Sequence, residues 1–217
     1  KIAQLLGPHK LYQYAKKFRF GIKTEIDLPG EVNGTLKNPS TWSKTSIAAI
    51  PMGQEVTVTP LQLVCAISAI ANDGLYMRPF VVKYIKDHRD QIIKTFEPTA
   101  VDQVISKETA LRLKEILAGA VEKGTGRLAQ IKGVEIAGKT GTAQKVVNGT
   151  YSHSQFYASF IGFAPVENPQ VAVVVVFEEP HPSYYGGTVA APVFREVVED
   201  VLNYQESSQR IYAQSSP

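Results

Sequence analysis

Lys139-Thr140-Gly141-Thr142 sets a cation, two hydroxyls and a glycine within one short run. In an extended chain, alternation puts the Thr140 and Thr142 side chains on one face, roughly 7 Å apart at ~3.3 Å per residue, where two hydroxyls can hold a carboxylate. Gly141 between them lets another backbone approach closely. An extended peptide can therefore add to this strand through main-chain hydrogen bonds.

The same residues close a different pattern. Gly133-Val134-Glu135-Ile136-Ala137-Gly138-Lys139-Thr140 matches the phosphate-binding loop G-x-x-x-x-G-K-[ST] letter for letter. That loop needs a hydrophobic strand before it and a helix opening right after the Lys, so that backbone N–H groups face the phosphates. Here a Gly-rich turn after a helix lies upstream, and Gly141 and Asn148-Gly149 oppose a helix downstream. Val134-Glu135-Ile136 also alternates like a strand, so the nucleotide-binding reading is set aside.

Positioning such a strand falls to the elements around it. Val134 to Val147, Tyr151 to Phe163 and Val171 to Phe177 read as three β-strands, the first pair joined by Asn148-Gly149, which accepts positive φ at both turn positions. The run Val171 to Val176 is apolar on both faces and predicts a central strand covered by helices on each side. Pro192, at a helix start, leads to Val193, Val197, Val201 and Leu202, a stripe able to pack on the sheet. Upstream, Ala110, Leu113, Leu117 and Ala120 trace a helix capped by Ser106 and ending at Gly124, with short β-like segments at Phe80 to Ile85 and Gln91 to Phe96 before it. A buried helix runs from the Thr59-Pro60 cap to Ala71, and another carries Leu11, Tyr14 or Ala15, and Phe18 toward Gly21. Between them, residues 22 to 52 are punctuated by Pro and Gly and predict an irregular excursion.

The chain of 217 residues, 44% hydrophobic and 20% charged, suits one substantial core or a large piece of a bigger domain. Its 23 Lys and Arg against 20 Asp and Glu, with no basic run interleaved with aromatics, argue against nucleic acid as a partner. The lone Cys65 lies in an apolar helical stretch, so no intrachain disulfide is possible, and His9, His88, His153 and His181 lack ligand spacing, so neither metal nor cofactor is expected. No stretch approaches the ~20 apolar residues of a membrane span. The start at Lys1, without an initiator Met or signal peptide, reads as cut from something longer. The fold class expected is α+β, helices followed by an antiparallel sheet and a closing helix, with residues 1–204 as part of a single domain and 205–217 as a mobile tail.

Ile136 to Gln144 resembles the Lys-Thr-Gly strand of penicillin-binding proteins and serine β-lactamases. Gly53-Gln54 with Thr59 to Leu63, then Gly124-Thr125-Gly126, Phe160 to Pro165, and Tyr184-Tyr185-Gly186-Gly187 leading to Ala191-Pro192-Val193-Phe194 resemble class B members in order and spacing, closest to the division and sporulation type. The resemblance implies the penicillin-binding protein fold and a peptidoglycan D,D-transpeptidase that cross-links cell wall through an acyl-serine. In this reading Thr140, Gly141 and Thr142 bind the carboxylate of a D-alanyl-D-alanine stem peptide or a β-lactam. The Thr142 N–H gives one oxyanion donor, and Lys139 supplies charge beside the serine and helps move protons. Gly53, Gln54, Gly124, Thr125, Gly126, Tyr185, Gly186 and Gly187 are supporting residues; Gly124 and Gly126 also suit a plain helix terminator, and the Tyr-Tyr-Gly-Gly run a plain turn into the last helix.

The family also needs Ser-x-x-Lys and Ser-x-Asn, and no serine of this chain fits either pattern. The expected whole is a longer parent, anchored on the extracytoplasmic face of a bacterial cytoplasmic membrane (the periplasm in Gram-negative bacteria) by an N-terminal segment absent here. Its N-terminal portion brings the nucleophile, divisome proteins are its partners, and this chain alone is inactive. The alternative is a non-catalytic module that holds a stem peptide or a protein on the same strand. Because family sheets also use earlier strands, one edge of this sheet is expected to be unpaired.

Overall fold

The computed structural model describes residues 1–215, with side chains described as far as residue 208. The chain forms two compact units, Lys1–Lys107 and a second that begins at Glu108.

The first unit opens with α1 (Ile2–Leu6) and α2 (Pro8–Lys17), broken at Gly7 with φ 83°. The expected irregular stretch follows, carrying β1 (Thr35–Leu36) and a single-turn α3 (Ser46–Ala49) before β2 (Val56–Thr57), which pairs with β1. Side chains stand in for missing ladders there. The Glu31 carboxylate accepts from the N–H and hydroxyl of Thr24 and from the N–H of Glu25; burial acts to raise its pKa, but these bonds prevail and hold it below the usual range.

Next, α4 (Pro60–Ala71) begins at the expected cap, a capping box in which Thr59 and Gln62 satisfy each other's backbone N–H groups. Gln62 is fully buried on this apolar helix because its amide nitrogen donates to the carbonyls of Arg19, Ile22 and Asn33. A polar residue on an apolar helix thus ties together carbonyls from three separate points of the loops before it. Four strands complete the unit, β3 (Leu75–Arg78), β4 (Tyr84–Lys86), β5 (Ile92–Thr95) and β6 (Thr99–Gln103), pairing as β3 with β6 and β4 with β5. The sequence pattern signalled only the middle two.

The second unit contains α5 (Lys107–Glu122), β7 (Ala137–Val147), β8 (Thr150–Ala164), β9 (Val171–Glu178) and α6 (Gly186–Ser215). The sheet is antiparallel in the order β7-β8-β9. Asn148 at φ 51° and Gly149 at φ 79° form the expected tight hairpin, which sets the register Val147 to Thr150. One face of the sheet packs Phe160, Val173, Val175 and Phe177 against Ala190, Ala191, Phe194 and Val198 of α6. Phe160 and Phe194 lie 4.7 Å apart in a tilted ring contact at its centre.

Two expectations need correction. The central strand is β8, whereas the valine-rich β9 is an edge strand, half-buried, with Val176 40% exposed. A continuous apolar run reports affinity for two covered faces, and α6 covers only one. Helix α6 starts at Gly186, so Pro192 sits inside it, where the deeply buried Ala190, Ala191, Phe194 and Val198 outweigh one lost backbone bond. The buried stripe is accordingly offset from the one expected, and Val197 is exposed. The segment 205–217, expected as a mobile tail, continues α6 as far as Ser215, and its last two residues lie outside the described residues.

Among the described residues no strand pairs with the outer edge of β9. Self-association of the isolated chain through this edge is expected, and Val176→Lys on its exposed face suppresses it. Sedimentation velocity reads the outcome; a monomer before the substitution would overturn the expectation.

Candidate functional site

Among the described residues β7 pairs with β8 alone, so alternate backbone groups on its other side are open to an incoming chain. Its register, Lys139 to Ile161, Thr140 to Phe160, Gly141 to Ser159 and Thr142 to Ala158, places Thr140 and Thr142 on the face that carries Phe160 and α6. Lys139 leaves from the opposite face, yet its ammonium returns to donate to the carbonyl of Thr140 at 3.1 Å and to its hydroxyl at 3.4 Å. A strand runs through Lys139 and Thr140 where a phosphate loop would need a helix start.

Two segments converge on the threonines. The Gly124-Thr125-Gly126 turn closes α5: the Gly126 N–H donates to the Ala120 carbonyl at 3.1 Å, and a Cβ on Gly124 would lie 2.7 Å from that same oxygen. Termination is thus one duty of these glycines, and it brings Thr125 to Thr140, hydroxyl to hydroxyl, at 2.8 Å. The second segment is the start of α6, where the Gly186 N–H donates to the Thr142 hydroxyl at 3.3 Å. That close approach explains the glycine pair. A Cβ on Gly186 would sit 2.2 Å from the Ser159 carbonyl oxygen and 2.4 Å from that of Gly141; one on Gly187 would sit 2.4 Å from the Thr125 carbonyl oxygen. Gly141 itself has the Ser159 hydroxyl 2.3 Å from where its Cβ would be.

The positive end of α6 therefore faces Thr142, and the Lys139 ammonium flanks Thr140. This pairing suits an anion with at least two acceptor oxygens. Of the other expected residues, Tyr185 is more than half exposed and its carbonyl receives the Thr188 and Val189 N–H groups, so its backbone starts α6. Gly53 and Gln54 lie in the first unit, Gly53 at φ 90° ending a helical turn and Gln54 donating its N–H to the Ala49 carbonyl at 3.2 Å.

Two contacts beside the site were not anticipated from the sequence. Lys145, at the register shift in β7, reaches the carboxylates of Glu178 and Glu179, whose bonds push the lysine pKa up; Lys145 in turn holds Glu179 down. Tyr184 stacks on Phe156 at 4.2 Å and meets Tyr185. Both join residues about thirty positions apart, Lys145 with Glu178 and Phe156 with Tyr184, which no local pattern encodes.

The chain is 41% identical over 204 residues to stage V sporulation protein D of Bacillus subtilis, an alignment covering 93% of this chain and 32% of that protein. It is 33% identical over 209 residues to the probable peptidoglycan D,D-transpeptidase PenA of Neisseria flavescens, covering 94% and 48% respectively. A crystal structure of penicillin binding protein 3 from Mycobacterium tuberculosis complexed with aztreonam superposes with a TM-score of 0.87 at 30% identity, over 94% of this chain and 48% of that one. The chain thus spans between a third and a half of these proteins, and the sporulation relative agrees with the type expected from the flanking motifs. The family described as the penicillin binding protein transpeptidase domain matches residues 1–199, and the chain belongs to it.

Proposed function

We propose that the chain is the C-terminal part, residues 1–204, of a single transpeptidase domain in a longer class B penicillin-binding protein. The parent is a peptidoglycan D,D-transpeptidase working through an acyl-serine, and this part holds the substrate-binding strand. The observation that carries the reading is the pair of hydroxyls on β7, flanked by the Lys139 ammonium and the Gly186 N–H, an arrangement built for a carboxylate.

Here Thr140 and Thr142 receive the terminal carboxylate of a D-alanyl-D-alanine stem, and Gly141 lets the stem lie alongside as an added strand. The Thr142 N–H is one donor to the oxyanion that forms when the serine attacks the penultimate carbonyl; a preorganised donor of this kind contributes on the order of 3 kcal/mol to the transition state. Lys139 stabilises the negative charge and moves protons near the serine. Gly124, Thr125, Gly126, Tyr185, Gly186 and Gly187 support these groups. The crystallised aztreonam complex of a relative supports β-lactams as ligands. The parent acts on the extracytoplasmic face of a bacterial membrane and works with divisome proteins.

No Ser-x-x-Lys and no Ser-x-Asn occurs in the chain, so the nucleophile belongs to another segment of the parent. A fluorescent penicillin is expected to label the full-length parent covalently and to leave the isolated chain unlabelled. Labelling of the isolated chain would overturn the missing nucleophile; an unlabelled parent would overturn the enzyme reading in favour of a binding module.

A further inference from the structure

Thr125 stands 2.8 Å, hydroxyl to hydroxyl, from Thr140, and either oxygen of that pair can be the donor. The surroundings decide which. A threonine hydroxyl has one proton to give and two lone pairs to offer. The Lys139 ammonium can only donate, and at 3.4 Å it takes one lone pair of the Thr140 oxygen. If Thr140 gave its proton to Thr125, it would have none left for an anion and would present a lone pair to it, which repels. If Thr125 donates, both lone pairs of Thr140 are filled and its proton points outward. Thr142 is arranged in the same way from the other side, because the Gly186 N–H donates to its hydroxyl oxygen and leaves its proton free.

We infer that Thr125 is a positioning residue for carboxylate recognition: it donates to Thr140 and thereby fixes Thr140 as a donor to the ligand carboxylate. The inference rests on the proposed carboxylate-binding role of β7. The place of Thr125 is built rather than incidental. Its turn is fixed by the Gly126 N–H on the Ala120 carbonyl, its carbonyl lies against Gly187 where a Cβ would come to 2.4 Å, and Gly187 in turn abuts the Thr140 methyl group. The hydroxyl contact is a direct polar link from this turn to the substrate strand.

The test uses the full-length parent and two probes, benzylpenicillin and its methyl ester, which differ only in whether the carboxylate is free. For each variant the second-order acylation rates with both probes are measured and their ratio taken. Because both rates come from one sample, the folded fraction cancels, so a partly unfolded variant still gives a reading. Thr125→Val keeps the shape and deletes the donor; the acid-to-ester ratio is expected to fall about tenfold, with the ester rate unchanged. Thr125→Ser keeps the donor and restores the ratio. Equal losses for both probes, or a ratio that stays at its original value in Thr125→Val, would overturn the inference and assign Thr125 a purely structural role. A parent that reacts with neither probe before any substitution would overturn the transpeptidase reading itself, a different result.

Discussion

Lys139→Ala in the full-length parent is expected to slow acylation by benzylpenicillin by about three orders of magnitude, within the range over which a positioned proton-transfer group acts. Two losses combine. The ammonium that donates to the Thr140 carbonyl and hydroxyl disappears, so the anion site keeps its hydroxyls but loses its adjacent positive charge. The proposed route for protons near the serine is lost with it. Stability should hardly change, because Lys139 is solvent-exposed and makes no salt bridge among the described residues; substitutions of that kind stay within ~0.5 kcal/mol. Lys139→Arg separates the two losses. Arginine keeps the charge but does not act as a proton-transfer group, so the variant should retain ligand binding while acylation stays slow. Stopped-flow acylation with a melting curve for each variant checks this, and an acylation rate within about threefold of the original would remove Lys139 from the mechanism.

Much of this unit was legible in the sequence because its signals are local. Asn148-Gly149 announced a hairpin with both turn residues at positive φ, Thr59-Pro60 announced the start of α4, and Ala110 to Ala120 gave α5. The site strand was legible for the same reason: two threonines astride a glycine need only alternation to share a face. What failed depended on distant partners. The valines of β9 report a liking for apolar surroundings and cannot report how many neighbouring strands exist. The last helix was expected to start at Pro192, with Tyr184 to Gly187 a turn before it, because proline is common at a helix start, but Ala190, Ala191 and the glycine pair extend α6 upstream to reach β7. The bond between Thr125 and Thr140 joins a turn to a strand fifteen residues on, and only the folded geometry makes it visible.

Gly186→Ala is expected to damage both the fold and the site, and a second glycine provides the control. A Cβ at Gly186 would come within 2.2 Å of one carbonyl oxygen and 2.4 Å of another, both in the backbone of paired strands that cannot swing aside as a side chain would. The start of α6 must therefore retreat from the sheet, at a cost of roughly 1–3 kcal/mol typical of overpacking. Its retreat lengthens the 3.3 Å contact from the Gly186 N–H to the Thr142 hydroxyl, so the loss should appear in carboxylate binding as well as in stability. Gly119 lies within α5 and has no atom within 4 Å of where a Cβ would be, so Gly119→Ala should raise stability by about 0.5–1 kcal/mol through helix propensity alone. Opposite shifts in denaturant midpoint for the two variants, with slower acylation for Gly186→Ala only, are the expected outcome. Equal behaviour of the two would mean that the close contact between α6 and β7 does not constrain the site. Glycine at position 186 is therefore best understood as a requirement of distance: it lets a helix start approach the strand closely enough for its N–H to set the direction of a substrate-binding hydroxyl.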